Sequence, residues 1–314
     1  MKRIVGRLVL LLGACSSVLL GQDRAIGTIT PHSLRMDVDL VLVNVTVTDA
    51  SGGRPVGGLP ERVFRIQEDK VPQRIKTFSS EDVPVSVGIL FDVSGSMSNK
   101  ISNALRAAQT FIPSGTRDDE YFMVKFSNSP AVVSELSSDL SELESSLLSI
   151  RAKGNTALYD AVYLGLNMLK KGRNPNRALL LITDGEDNHS RYSFSQVRRY
   201  VREQDVEIYA IGILDPVTGA GRDALVELTK LTGGKAFFPY SSSEMSEICK
   251  KISEELKNQY MLGYESTNRA RNGNWRNIQV KVVDSEDSLI GSVHVRARSG
   301  YFAPSENAVL ETKN

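Results

Sequence analysis

The sequence predicts an α/β fold: a doubly wound, mainly parallel sheet, inserted in or flanked by an antiparallel β-sandwich module. Three observations carry this. Between residues 84 and 257, short apolar runs alternate with stretches of helical period, the pattern of a parallel sheet covered by helices on both faces. On either side of that stretch the chain shows short alternating runs separated by Gly, Pro and Asp, with no helical period, as antiparallel strands do. The run Val85–Phe91 is too short for a helix and rich in Val and Ile, and it ends in Asp92-Val93-Ser94-Gly95-Ser96. A buried strand thus carries one carboxylate and two hydroxyls to the edge of the sheet where ligands bind in open α/β folds.

The elements follow in order. Met36 to Asp49 alternates Val and Leu with polar residues and reads as a half-buried strand, closed by a turn from Ala50 to Pro55. Phe64–Glu68 and Arg74–Phe78 are further strands with the turn Glu68-Asp69-Lys70 between them, and Glu81–Pro84 is the junction. After the strand Val85–Phe91 comes a helix near Lys100–Ile112, with Ile101, Leu105, Ala108 and Ile112 on one face. Tyr121–Phe126 is a strand with Val132–Leu136 as its partner, and Asp139 with Glu142 three residues on reads as a capping box. A helix over Ala157–Lys171 is ended by Gly172. Strand Leu179–Thr183, helix Ser193–Gln204, strand Glu207–Ile213, helix Arg222–Leu231 and helix Ser243–Leu256 complete the alternation. Beyond it Tyr260–Tyr264, Ile278–Val283 and Ser292–Arg298 are strands again. The simplest account makes both flanks one sandwich. It divides the chain into residues 33–82, the first part of the sandwich; 84–257, the α/β domain; 258–304, the part that completes the sandwich; and 305–314, a tail of disordered composition.

Two more segments add chemistry. Gly154-Asn155-Thr156 opens the helical pattern at Ala157, and Ala178–Thr183 is a buried strand ending in Asp184-Gly185. If these loops share an edge with Asp92, they supply a third hydroxyl and a second carboxylate. Asp92, Ser94, Ser96, Thr156 and Asp184 are then five oxygen ligands, hard and mostly neutral, suited to Mg²⁺ or Mn²⁺.

The order Asp-x-Ser-x-Ser, then Thr, then Asp in a Thr-Asp-Gly turn resembles the metal-ion-dependent adhesion site of von Willebrand factor A domains, and it matches at each position. The resemblance spans roughly Pro84 to Lys257 and implies a Rossmann-like fold. It further implies that Ser94, Ser96 and Thr156 approach the cation directly or through water. Asp92 and Asp184 would supply charge behind them, and the open coordination position would take an Asp or Glu of a protein partner. By the same analogy, movement of the last helix would couple occupancy to the sandwich. With Gln259–Tyr264 and the ending Arg298–Pro304, the whole is similar to a bacterial group of exported von Willebrand A-related proteins. The rival expectation is a scaffold of an envelope assembly, in which the metal serves only loop stability.

Other readings are weaker. The chain has three His, and a Ser-His-Asp set can be drawn with His189 and Asp184 or Asp187, but no Gly-x-Ser-x-Gly elbow supports a hydrolase, so the expectation is a protein without catalysis. An aspartyl phosphotransferase would want an acid where Ser94 stands. There is no dinucleotide or Walker motif, and a formal charge of +1 gives no reason to expect nucleic acid. Glu186, Asp187 and His189 read as a helix cap and solvated face before a second cation site. Phe237, Phe238 and Trp275 read as packing residues.

The N-terminus reads as an export signal, removed after residue 21. Lys2, Arg3 and Arg7 precede an apolar stretch from Leu8 to Gly21, shorter than a membrane span needs. Its removal leaves 35 of the 38 basic residues against 37 acidic ones, a net charge of −2. Leu12-Gly13-Ala14-Cys15 also resembles a lipoprotein box, with Cys15 as a possible lipid anchor, although the apolar run continues to Leu20. The expected location is periplasmic, cell-surface or secreted, with no transmembrane helix in the mature chain. Cys249 would then be the one remaining thiol, a small core residue that forms no internal disulfide.

Overall fold

A computed structural model describes residues 40–51, 53–80, 83–111, 118–148, 150–214, 218–283 and 293–305. The expected signal, Cys15, Ile112 and the tail beyond residue 305 lie outside the described residues. The first strand, β1 (Leu40–Asp49), buries Val41, Val43, Val45 and Val47 on one face, as its alternation requires. Asp49 closes the following turn by accepting the Ser51 hydroxyl at 2.6 Å and the Gly53 N–H at 2.8 Å. Next come β2 (Phe64–Glu68), β3 (Val71–Gln73) and β4 (Ile75–Ser79). Asp69 and Lys70 both have positive φ, 47° and 69°, so β2 and β3 are joined by a turn of the type I′ kind. The short strand β3 lies between the expected turn Glu68-Asp69-Lys70 and the expected strand Arg74–Phe78, in residues to which the sequence reading assigns no element.

The α/β part alternates as expected. It runs β5 (Val85–Asp92), α1 (Ile101–Phe111), β6 (Glu120–Phe126), β7 (Pro130–Ser137), α2 (Ser141–Leu148), α3 (Leu158–Leu169), β8 (Asn176–Thr183), α4 (Phe194–Arg202), β9 (Glu207–Gly212), α5 (Arg222–Thr232), β10 (Ala236–Phe237) and α6 (Ser242–Lys257). The strand order is β10-β9-β8-β5-β6-β7, parallel except for β7. Strand period two splits the sheet's side chains between two cores. Val85, Val87, Ile89 and Phe91 face α1, α2 and α6; Leu90, Leu179 and Leu181 face α3, α4 and α5. Cys249 is wholly buried in the first of these cores, and burial pushes its thiol up to about 12, which makes it a packing residue. The chain leaves β5 toward β6 and leaves β8 toward β9, on the other side of β5, so the order reverses at the C-terminal ends of β5 and β8.

Two caps show how local signals were used. Ser193 and Gln196 form a capping box on α4. The box expected at Asp139 does not close: its carboxylate accepts the Ser141 N–H at 3.0 Å, but its own N–H goes to the Ser137 hydroxyl at 2.9 Å, not to Glu142.

After α6 the chain returns through β11 (Tyr260–Glu265), β12 (Trp275–Val282), β13 (Val293–Ala297) and β14 (Gly300–Phe302). Both flanks contribute strands to each of two four-stranded sheets, alternating in β13-β1-β11-β4 and meeting at the β12–β2 pair in β14-β12-β2-β3, and the sheets share one apolar core. The neck of the insertion is the pair β4–β11, where Ser79 stands opposite Met261. A buried polar group locks the two sheets together. Glu68 on β2 accepts the hydroxyls of Tyr264 (2.8 Å), Ser266 (2.6 Å) and Tyr301 (2.9 Å). Arg276 on β12 faces Glu68 at 3.4 Å and donates to the carbonyls of Asn268 (2.8 Å) and Ala270 (2.6 Å). Trp275 packs edge-on against Phe302 at 5.0 Å beneath Arg202, as a packing residue.

The sandwich meets the α/β part at the N-terminal edge of its sheet. Asn44 bonds Asn176 at the start of β8, and Arg298 donates to Asp205 before β9 and to the Leu42 carbonyl. Gln259, between α6 and β11, donates to Thr46 and to Glu207 at the start of β9, while Arg296 pairs with Glu255 of α6. Burial pushes Glu207 up to about 6, against the pull of Arg296 and Gln259.

Two outcomes are expected. Replacing Arg276 by Met, which leaves Glu68 buried without its charge partner, should cost about 3–5 kcal/mol in a urea titration. Glu207 binds its proton more tightly folded than unfolded, so its favourable contribution is full below pH 4.5 and is lost as pH rises through about 6. Glu207→Gln should flatten that part of the stability–pH profile by about 2 kcal/mol, measured by urea midpoints across the range.

Candidate metal centre

The candidate site is built where the strand order reverses. Asp92 is the last residue of β5 and is fully buried. Its Oδ1 accepts the Ser94 N–H at 2.8 Å, and its Oδ2 accepts the Thr183 hydroxyl at 2.6 Å. Thr183 Oγ1 in turn accepts the Gly185 N–H at 3.0 Å, so one carboxylate fastens the ends of β5 and β8 and shapes both loops. Burial pushes the Asp92 carboxyl up; hydrogen bonds from Ser94 and Thr183 oppose this, and the charge of Asp184 adds to it.

Held in this way, the chain enters a 3₁₀ turn at Gly95–Met97, anchored by buried Met97. The turn brings Ser94 Oγ within 3.0 Å of Ser96 Oγ. Ser94 is buried and Ser96 exposed, so the pair opens to solvent on one side.

The Thr156 loop is brought in by backbone bonds. The Gly95 N–H donates to the Gly154 carbonyl at 2.8 Å, and the Lys153 N–H to the Val93 carbonyl at 2.8 Å. Gly154 has φ +92°, and a Cβ there would stand 2.8 Å from Asn128 Oδ1, which accepts the Asn155 N–H. On the other side, Asn188 Oδ1 accepts the Thr156 N–H at 2.9 Å, and the N–H groups of Asn188 and His189 both donate to the Thr156 carbonyl at 3.0 Å. The Asp184 loop and the Thr156 loop are therefore one bonded unit.

Asp187 caps α3: its Oδ2 accepts the Tyr159 N–H at 3.0 Å and the Ser190 hydroxyl at 2.5 Å. The His189 ring stands 3.5 Å from the Asn155 amide, and both Asp187 oxygens are engaged by the Tyr159 N–H and by Ser190.

Asp184 is buried, and its Oδ1 has no hydrogen-bond partner. Its Oδ2 faces Lys100 Nζ at 3.8 Å. A buried carboxylate oxygen left without a donor is costly, and a cation beside it removes that cost. The hydroxyl pair fits as well: two oxygens held roughly 2.1 Å from Mg²⁺ at right angles stand about 3.0 Å apart. Among the described residues no three His, Cys, Asp or Glu side chains converge, so a cation here would rest on hydroxyls and two carboxylates. Asp92, Ser94, Ser96, Thr156 and Asp184 are the residues that would hold it, supplying a Lewis-acidic point at the rim of the sheet.

Sequence reasoning places Asn128 and Asn188 in loops that would select a partner and Thr183 in the turn before Gly185, but it missed that they hold the site's backbone together, and it missed Lys100 as the partner of Asp184. Thr183 stood next to a named residue, and its place at a strand end beside Asp92 was the available signal. The other three act through contacts distant in sequence.

A sequence model described as the von Willebrand factor type A domain matches residues 87–186. Among solved structures, a von Willebrand factor type A protein from Catenulispora acidiphila is 14% identical over 87% of this chain and 76% of that one, with a TM-score of 0.50. BatB from Bacteroides thetaiotaomicron is 21% identical over 55% of this chain and 99% of that one, with a TM-score of 0.47. The vWF domain of the type V pili tip protein Mfa5 from Porphyromonas gingivalis is 12% identical over 55% and 95%, at 0.45. At 14% identity the likeness to the Catenulispora acidiphila protein is one of fold alone. No curated protein matches the chain.

Thr183→Val, which removes the hydroxyl that Asp92 and the Gly185 N–H share, should destabilise the protein by about 1–3 kcal/mol in chemical denaturation.

Proposed function

With a von Willebrand factor type A domain at residues 87–186 as the premise, we propose that this protein is an exported protein-binding module. It holds one Mg²⁺ or Mn²⁺ through Ser94, Ser96 and Thr156, backed by Asp92 and Asp184, and through that cation it captures an Asp or Glu of a protein partner. The observation that carries the reading is the orphaned, buried Asp184 Oδ1 beside the paired hydroxyls of Ser94 and Ser96. Three neutral oxygens quench little of the cation's charge, so the metal keeps its appetite for an anionic ligand. Exposed Ser96, Ser98, Asn99, Asn128 and Glu186 surround the open side and would select the partner. The basic and apolar start of the chain supports export, and among the described residues no helix is long and apolar enough to cross a membrane.

The scaffold reading draws on the dense backbone bonding among the 93–95, 153–156 and 188–189 segments, which a cation would stiffen. Calorimetric titration of Mg²⁺ and Mn²⁺ into chelator-treated protein, followed by melting, tests the first reading and separates the two. One-site binding is expected, weakened roughly tenfold or more by Ser96→Ala or Thr156→Ala, with the fold intact by circular dichroism. Acidic peptides should bind only with the cation present. Metal binding that raises the melting temperature without any cation-dependent peptide binding would favour the scaffold. A folded protein that takes up neither ion at millimolar concentration would overturn the metal reading.

A further inference from the structure

Lys100 stands where the sequence logic of a helix would not put it. It occupies the position before α1, and its carbonyl accepts the Ala104 N–H at 3.1 Å, the first bond of that helix. Helices prefer Ser, Thr, Asp or Asn there, and their N-terminal partial positive charge disfavours a cation. The side chain is only 22% exposed and is directed at the Asp184 carboxylate, 3.8 Å away. That carboxylate belongs to the candidate metal centre, and its other oxygen is unpartnered. An unfavourable residue at the helix start is thus spent on the charge of the site.

The charges close in an informative way. Asp92, Asp184 and Lys100 together leave the cation-free site with one net negative charge when both carboxylates are ionised, so it repels a partner carboxylate. A divalent cation brings the site to one net positive charge, and the partner's Asp or Glu then neutralises it. Without Lys100 the loaded site would already be neutral before the partner arrived.

We propose that Lys100 sets the charge of the metal centre. It is a built-in competitor that weakens divalent-cation binding and, once the cation is bound, strengthens the capture of an anion. The proposal rests on the metal reading given above and adds to it a residue outside the five-oxygen motif. The two effects have opposite signs, because the same positive charge repels the cation and attracts the carboxylate.

The test uses the full chain with Lys100→Met, the neutral Lys100→Gln and the charge-keeping Lys100→Arg. Chelator-treated protein is titrated with Mg²⁺ and with Mn²⁺ by calorimetry, and melting is recorded with and without ion. Both neutral variants should bind Mg²⁺ about tenfold more tightly, as expected for removing one like charge within several ångströms of the site. Without ion they should melt below the wild type, because Asp184 has lost its counter-charge, and they should gain more on adding Mg²⁺. Lys100→Arg should stay close to the wild type. With Mg²⁺ saturating, a panel of short Asp- and Glu-containing peptides should bind the neutral variants more weakly than the wild type. Folded neutral variants whose Mg²⁺ affinity is unchanged or lower would overturn the proposal while leaving the metal reading standing. If neither the wild type nor the variants bind either ion, both fall together. Tighter Mg²⁺ with equal or stronger peptide capture would overturn the second half of the proposal.

Discussion

A carboxylate with no access to water organises the functional end of this molecule. Asp92 terminates the central strand inside the sheet, and its charge is tolerable there only if donors surround it. Two are found, the Thr183 hydroxyl and the Ser94 N–H, and each has a structural consequence. The first pins the end of β8 to the end of β5. The second turns the chain sharply enough that Ser94 and Ser96 face the same way. The loops that project hydroxyls are therefore shaped by the need to satisfy one buried group, whether or not an ion is present.

The same logic governs the opposite edge of the sheet. There the sandwich is fastened by Arg296 and Glu255, by Gln259 and Glu207, and by Arg298 with Asp205. The candidate site and this junction stand at the two ends of strands eight residues long, roughly 25 Å apart. The parallel strands between them are packed on both faces, so the sheet acts as a stiff spacer that presents the site away from the sandwich.

Much of this was legible in the chain itself. The alternation of apolar runs and helical periods located the parallel sheet, and the shared absence of helices in both flanks indicated a sandwich made from two distant pieces. Asp92, Ser94 and Ser96 could be placed because their spacing is local. What escaped was long-range pairing, which leaves no periodic trace. Thr183 and Asp92 are far apart in the chain, and only their places at the ends of two buried strands relate them. Lys100 read as the opening of a helix, since a residue's counter-charge is visible only once the loops are folded together. The short strands β3, β10 and β14, of two or three residues each, exist because an edge was available to pair with, not through any propensity of their own. Asp139 shows the converse: the capping spacing was present, but the nearer Ser137 hydroxyl took the N–H.

The neck of the insertion bears on how the molecule reaches its native state. Ser79 pairs with Met261 across an intervening stretch of about 180 residues, and closing so long a flexible loop costs about 5 kcal/mol before any contact repays it. A collapsed α/β domain removes most of that cost, because the first residue of β5 and the last of α6 already lie at one edge of a formed sheet. The strand β1, rich in Val, pairs along both edges with strands that follow the insertion, β11 and β13, so both of its partners are distant in sequence. A Val-rich strand with two unpaired edges is a template for mispairing, so a chain that folds its inserted domain quickly shortens the exposure of β1.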